Sequence, residues 1–552
     1  TMSGRRHHLS LLKAFVAAHV VLAARAEEEV EPGSCPADDP GCRGEGASLA
    51  AVGTNHHWPK AWGPNLWSPV DVGVNITGPP SWVWRNELDE MVRHAPLIDS
   101  DKNIYIVTSL RIRKFAPGGQ LLWSWTASRS DGVMPGSPVL YGDSLYAVVS
   151  PHKSPEGQML DTSSLRAHLI VFALATGDIR WKYEIPYYVW TSEISSPYIE
   201  SDILLYSARD RFKTREIDPG HDGSNMVVAV DLNKREELWT YKPDDMIWHF
   251  KPVSLGDGTI IIATPCAAIF HLKLATGELV RRFGWPGMSL TSTCGRSGGV
   301  LGEDGNLYVG FNFYWSTQGK GYIGKYRISD GIQVWNRSLG PKEPNPYFNK
   351  YTEYGVWQIP TVGRLSPGGR LAVVGSIGGG PSGAPYPADW NLPQWAKDLL
   401  WKFYLESPWF RRMLGVPVAV NRVIALDAES GGIFWQYDLP SWDRLGGIDD
   451  EEKLLERAPR HFEDWYNQPD LMCAPSNLAK PVIDADGTVY VADGRQGVLY
   501  AIKDKNEDGF IIEEDGEVQR FVTGVGFYGS PSIAPGLLVA APCFGDAYVF
   551  QA

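Results

Sequence analysis

The sequence predicts an all-β fold, an eight-bladed propeller of four-stranded blades. Three observations carry this: a turn-rich composition, a hairpin that recurs along the chain, and an 11-residue frame that ends in Trp. With 43% apolar and 12% aromatic residues, and 58 Gly, 40 Pro and 22 Trp among 552 residues, the chain can bury a large core and favours many short strands over long helices.

The hairpin is an apolar strand starting near a Pro, a turn, and a second apolar strand, as in HAPLIDSDKNIYIVTS from His94. Further copies start at Gly136, Ser195, Phe250, Ser297, Gln358, Ala479 and Gly529, which makes eight. A third strand, a Gly-containing turn and a fourth strand follow each copy. Counted back from Trp123, Trp181, Trp239, Trp335 and Trp435, the segments RKFAPGGQLLW, VFALATGDIRW, AVDLNKREELW, KYRISDGIQVW and ALDAESGGIFW share one frame. HLKLATGELVR keeps the frame with Arg281 in place of Trp. The eighth copy stops at AYVFQA without a fourth strand, and PSWVWRN, with Trp82 and Trp84, supplies it from the other end of the chain. Pairing the two ends closes the ring and leaves only short, protected strand edges.

From about residue 80 to 552 these repeats resemble the pyrroloquinoline quinone (PQQ) repeat family. The family holds quinoprotein alcohol dehydrogenases and non-catalytic relatives such as the bacterial outer-membrane assembly lipoprotein. The resemblance implies an eight-bladed propeller in which each frame Trp packs against the neighbouring blade, its large ring buried and its N–H given a partner. For a catalytic member it implies Ca²⁺ held by Glu, Asn and Asp beside the quinone, an Asp as general base, and often a disulfide of adjacent cysteines under the cofactor. No Cys-Cys pair and no Asn-Trp-rich segment occurs in the chain, and Glu193, Asp470 and Asn477 are the groups left for such a role. The reading is therefore a non-catalytic binding or scaffolding propeller. The alternative is a PQQ- and calcium-dependent dehydrogenase of alcohols or sugars.

Around the propeller, residues 1–26 read as a signal peptide, with a basic SGRRHH, an apolar stretch and ARA before an acidic run. Residues 27–79 read as an acidic, Gly-rich extension, and residues 80–552 as the propeller with short helical insertions, 378–421 in blade six and 440–478 between blades six and seven, the second helix-like around Asp449 to Ala458. Secretion, to the lumen or outside the cell, implies oxidising surroundings for six cysteines. Cys35 and Cys42 bracket a small loop; Cys266 with Cys294 and Cys473 with Cys543 are the favoured pairs among three formal pairings of those four. Asn75 and Asn336 open glycosylation sequons. A net charge of -13 argues against nucleic acid as a partner.

Alternation of strand direction places the second-to-third strand turns, the blade connections and both insertions on one face, here called the top. Its connections carry Arg93, His94, Glu193, Trp248, Lys251, Arg296, Glu353, Trp357, Asn467, Asp470 and Lys480, with Lys251 and Lys480 at the same repeat position before the Pro. Polar groups gathered at a channel mouth suit an anionic or polyhydroxylated ligand, or a protein partner. Within 392–414, apolar residues at helical spacing (Trp395, Leu399, Phe403) make a surface for a partner or a membrane interface. On the opposite face, DKNEDGFIIEED fits a calcium loop, with Asp504, Asn506, Asp508, the Phe510 carbonyl and Asp515 as ligands and Gly509 at the sharp turn.

Overall fold

The computed structural model describes residues 55–64, 70–128, 132–134, 136–150, 167–187, 196–208, 224–245, 247, 250–264, 267–284, 298–313, 320–339, 355–378, 392–414, 419–454, 456–457, 472–473 and 478–552. Eight antiparallel sheets of four strands form the ring, seven of them in simple sequence order. The eighth runs Ser532–Ala534, Leu537–Ala540, Ala547–Gln551 and then Trp82–Trp84, with Trp82 opposite Val549 and Trp84 opposite Ala547. The chain's two ends thus share one blade, as the missing fourth strand predicts.

The short first strands face the axis: Leu97–Ile98, Val139–Tyr141, Tyr198–Glu200, Val253–Ser254, Gly299–Leu301, Thr361–Arg364, Val482–Ile483 and Ser532–Ala534. The fourth strands face outward and alternate, as in Ile433–Trp442, where Trp435, Tyr437 and Leu439 are buried and their neighbours are not. The core is a series of layers between blades. Val139, Val148 and Val171 of blade two, for example, pack against Ile199, Leu204 and Val228 of blade three. Each sheet is apolar on both faces because it is covered on both, which is why its second and third strands read as unbroken apolar runs.

The recurring Trp and Gly meet across these layers. Trp123 Nε1 donates to Leu174 O at 2.9 Å, Trp239 Nε1 to Leu274 O at 2.9 Å, and Trp335 Nε1 to Ala428 O at 3.1 Å, each in the third-to-fourth strand turn of the next blade. Trp82 does the same for the closing blade, donating to Pro117 O of blade one at 2.7 Å. The turn glycine lies flat under the ring: a Cβ on Gly177, whose φ is +76°, would stand 2.6 Å from Trp123. Blade three has Arg235 at that position, with φ 61°, and its guanidinium lies 5.1 Å from the Trp181 ring centre. Where blade four has Arg281 in place of Trp, Phe283 covers Gly331. Gly177→Ala should therefore cost about 2 kcal/mol, from positive φ and ring overlap together. Urea unfolding of the variant checks this, and an unchanged midpoint would contradict the stacking.

Two helices rise from blade six, α1 (Gln394–Glu406) and α2 (Pro408–Met413), with Ser407 capping α2 by accepting from the Phe410 amide at 3.2 Å. Their inner face, with Trp401 and Tyr404, packs on Leu445 and Leu454 of the next insertion. Among the described residues of that second insertion, 443–453 are mostly turns and Leu454 and 456–457 are helical. Its short polar run is held instead by buried side-chain bonds: Glu451 accepts from Tyr404 Oη and from the Gly446 amide, and Arg457 pairs with Asp89. Cys473 is disulfide-bonded to Cys543 of blade eight, so the cap is tied covalently to the ring. No helix among the described residues is long and apolar enough to cross a membrane.

Candidate functional site

The axis is occupied by the chain itself. Trp58 pairs with Ile98 of the first blade through two backbone hydrogen bonds, at 2.9 and 3.0 Å. Pro59 O accepts from the Leu140 amide of blade two at 2.8 Å, and the Lys60 ammonium lies 4.5 Å from the Tyr198 ring centre of blade three. Trp62 reaches blades four and seven: Lys251 Nζ stands 3.6 Å from its ring centre, and Lys480 Nζ donates to its carbonyl at 2.7 Å. One segment touches inner strands on opposite sides of the ring only if it runs along the axis. His56 contacts Gly142 and Ser100, in first-to-second strand turns, so the segment enters from the underside and ends near the top.

The sequence makes this possible because HHWPKAWGP is short, Pro-interrupted and aromatic, unable to pair as a regular strand yet rich in area to bury. Gly63, at φ +76°, turns the chain back over Trp58, where a Cβ would lie 2.9 Å from the ring. The extension expected to be a lead-in to the propeller is thus partly core: Val72 and Ile76 are also fully buried, in the layer shared by blades seven, eight and one.

At the upper end of this segment lies a cavity of about 460 Å³, counting its solvent-open mouth. Lys60, Trp62, Tyr198, Phe250, Lys251 and Lys480 line it, and no carboxylate is among the described residues of its wall. Lys251 is 9% exposed and Lys480 8%, and Lys251 Nζ makes no hydrogen bond among the described residues. Burial drives the amines toward neutrality: Lys60 is lowered to about 7, with Lys480 adding repulsion, and Lys480 is lowered to about 8. Burial, and then Lys480, also hold Lys251 well below the ordinary lysine range. Glu200, which acts on Lys60, is engaged by Tyr198 Oη and Ser254 Oγ, both at 2.7 Å.

Of the expected top-face residues, then, Lys251 and Lys480 come together. Arg93 and Trp357 stand before the inner strands of blades one and six but not in the wall of this cavity, and His94 is buried. Glu193, Trp248, Arg296, Glu353, Asn467, Asp470 and Asn477 lie outside the described residues, as do the signal peptide, Cys35, Cys42, Cys266 and Cys294. Lys60 and Trp62 are the residues that sequence reasoning missed; the dense Trp, Pro and Lys of their segment was the available signal. Asn75 and Asn336 are exposed.

On the underside, Asp504 accepts from the Gly509 amide at 2.9 Å and the Asp508 amide at 3.2 Å, Asn506 Oδ1 from the Asp508 amide, and Asp508 from the Phe510 amide at 2.8 Å. Asp515 sits in a single 3₁₀ turn. The carboxylates of Asp504, Asp508 and Asp515 do not come within 4.8 Å of one another as a group, so amides and the buried Glu517, which accepts from Lys505 and Ile512 amides at 2.8 Å, hold the loop. Through Glu513, which bonds Tyr437 and Arg520, the loop also clamps blade six.

Residues 80–283 match the family model described as outer membrane protein assembly factor BamB. No curated protein matches the chain. Among solved structures, a quinohemoprotein alcohol dehydrogenase from Comamonas testosteroni is similar at 13% identity and TM-score 0.52, over 92% of this chain and 82% of that one. A europium-containing methanol dehydrogenase is similar at 11% identity and TM-score 0.51, over 90% and 98%. A quinohemoprotein alcohol dehydrogenase from Pseudomonas putida HK5 gives 10% identity and TM-score 0.52, over 90% and 80%. These likenesses share the fold, and a fold hosts many activities.

Proposed function

We propose that this propeller, whose repeats are those of the PQQ repeat family, is a non-catalytic binding or scaffolding module with its ligand or partner surface on the top face. The observation that carries the reading is the filled axis. Trp58, Lys60 and Trp62 take the space along the centre of the ring, and the wall of the cavity at the upper end of this segment offers three lysines and, among the described residues, no carboxylate to hold Ca²⁺. A quinone with a bound divalent cation needs oxygen donors at its site. Trp58 to Trp62 and the lysines do not fit that group, and no catalytic step is derived through it. The Cys473–Cys543 bridge joins residues 70 apart in sequence, unlike the adjacent-cysteine disulfide of the resemblance.

A partner surface is supported on α1 and α2. Their outer face leaves Trp395 and Trp409 each 69% exposed, with Phe403 and Met413 beside them, while the inner face is buried on the cap. Large apolar side chains exposed on neighbouring helices are the composition of interface anchors. The experiment supplies PQQ and Ca²⁺ to the purified full chain and follows dye reduction over a panel of alcohols and sugars. No quinone-dependent turnover is expected; turnover would overturn the reading in favour of the dehydrogenase.

The underside loop is proposed as a separate, structural Ca²⁺ site built from Asp504, Asn506, Asp508, the Phe510 carbonyl and Asp515. Support comes from the ordering of its first three ligands in one tight turn around Gly509, leaving further oxygens for a cation that takes six to eight. Millimolar Ca²⁺ should raise Tm in the parent chain and not in the Asp504→Ala, Asp508→Ala double variant. An equal response in both would remove the loop as a metal site.

A further inference from the structure

We propose that the axial cavity between Lys60, Lys251 and Lys480 binds a small oxyanion, of the phosphate, sulfate or carboxylate class, at the top of the plugged channel. The inference rests on the reading of this face as a binding surface and names what it binds.

The cavity is a built site. Lys251 reaches it from the connection into blade four, Lys480 from the equivalent connection into blade seven, and Lys60 from the axial segment, so three separate parts of the chain each give one lysine to its wall, with Lys480 repelling each of the other two. Trp62 organises two of them. Its ring faces Lys251 Nζ at 3.6 Å and its carbonyl takes Lys480 Nζ at 2.7 Å, which fixes both side chains relative to each other. A ring face is a weak partner for an ammonium and satisfies none of its three N–H donors. Lys251 is therefore left nine-tenths buried with its donors unmet among the described residues, in the wall of a cavity that opens to solvent. Buried donors without partners are rare and costly, and a charged one more so.

Two outcomes relieve such a cluster: the amines give up protons, or an anion enters. The wall's composition favours the anion. Apolar and aromatic residues, Phe250, Val253, Val300 and Ile359, line it beside the lysines, and charge pairs strengthen as the local dielectric falls. A metal cation is repelled by ammonium groups, and a neutral polyol can accept their hydrogen bonds but does not answer their charge, which an anion does. Glu200, the acid among the described residues that acts on Lys60, accepts from Tyr198 and Ser254 and is not among the residues that line the cavity. The lowered affinity of Lys60 and Lys480 for protons supports the same picture. An arriving anion restores those protons, so its binding should take up protons from the medium near pH 7 to 8 and weaken as pH rises through that range.

The test uses the full chain with inorganic phosphate as probe, at constant ionic strength maintained with chloride, read by calorimetric titration and by Tm. Phosphate should bind saturably at about one per chain and raise Tm. Repeating the titration in buffers of different ionisation enthalpy should show net proton uptake near pH 7.5. Lys251→Met keeps the stem packed on Trp62 and removes the charge, and should weaken binding at least tenfold. Lys234→Met, at an exposed turn, should leave it unchanged and serves as the control for non-specific charge. If Lys251→Met does not fold, Lys480→Met is titrated in its place with the same expectation. Absence of a saturable phosphate response, or an equal response in the lysine variants, overturns the oxyanion site and leaves the non-catalytic reading standing. Quinone-dependent turnover overturns that reading without touching the phosphate result.

Discussion

Trp58→Ala should destabilise the chain by about 3–5 kcal/mol, the usual range for removing a large buried aromatic side chain. Trp58 is 4% exposed and packs in the layer that joins blades seven, eight and one, among Val72, Ile98 and Phe527. That layer is where the ring closes, and it holds the one blade whose strands come from both ends of the chain. Loss of the indole leaves a cavity there that the surrounding strands cannot collapse to fill, since their own hydrogen bonds fix their spacing. Gly63, turned over the ring, loses its support in the same step. Denaturant unfolding of parent and variant measures the difference. A loss below about 1 kcal/mol would mean that the axial segment contributes little to the ring.

The second large effect is a pH dependence that arises at Asp484 in blade seven. Asp99 and Asp304 share a design: each carboxylate takes a Tyr hydroxyl, from Tyr105 or Tyr308, and an ammonium, from Lys114 at 3.2 Å or Lys325 at 3.0 Å. Burial alone would raise both acids, but hydrogen bonds and the lysine outweigh it and both are lowered. In blade seven, Asp484 and Tyr490 repeat the arrangement, yet the residue opposite Tyr490 is Ala501, where Lys114 and Lys325 stand opposite Tyr105 and Tyr308. Burial then dominates, and Asp484 is raised to about 6.

A carboxyl raised on folding is bound more tightly to its proton in the native state than in the unfolded one. It therefore stabilises least where it is ionised, and stability is lost as pH rises through the window between the ordinary carboxylate value and about 6. Asp484→Asn keeps the shape and an acceptor for the Thr488 amide while removing the titration. The stability gap between variant and parent should widen in the variant's favour from pH 4 to pH 6, reaching about 3 kcal/mol for a shift of about two units. A gap that stays flat with pH would contradict the account of the missing lysine.

Much of the fold was legible because a propeller is local: each hairpin, its turn and its Trp frame lie within one stretch of about fifty residues, and repetition makes the pattern visible. The ring closure by Trp82–Trp84 was legible for the same reason, as a strand that one copy lacked and another part of the chain possessed. The axial segment was not. Residues 56 to 62 contact blades one, two, three, four and seven, partners up to 418 positions away, and no periodicity within the segment reports on them. Lys251 and Lys480 could be singled out by their shared repeat position, but their meeting depends on Trp62, which supplies both with a contact. The lysines of blades one and five show the same limit: DSDKNIY and GEDGNLY announce the Asp and Tyr, whereas Lys114 and Lys325 are assigned only by the register of the third strand.

The central claim is that the chain's own residues fill the axis, and hydrogen exchange at Trp58, Ile98 and Leu140 tests it most directly. Each of these amides bonds across the boundary between the axial segment and an inner strand, Trp58 to Ile98 O, Ile98 to Trp58 O and Leu140 to Pro59 O. If the segment occupies the axis, all three should exchange as slowly as amides inside the blades, and together. Rapid exchange of Trp58 and Leu140, at the rate of exposed chain, would show an open axis and contradict the account.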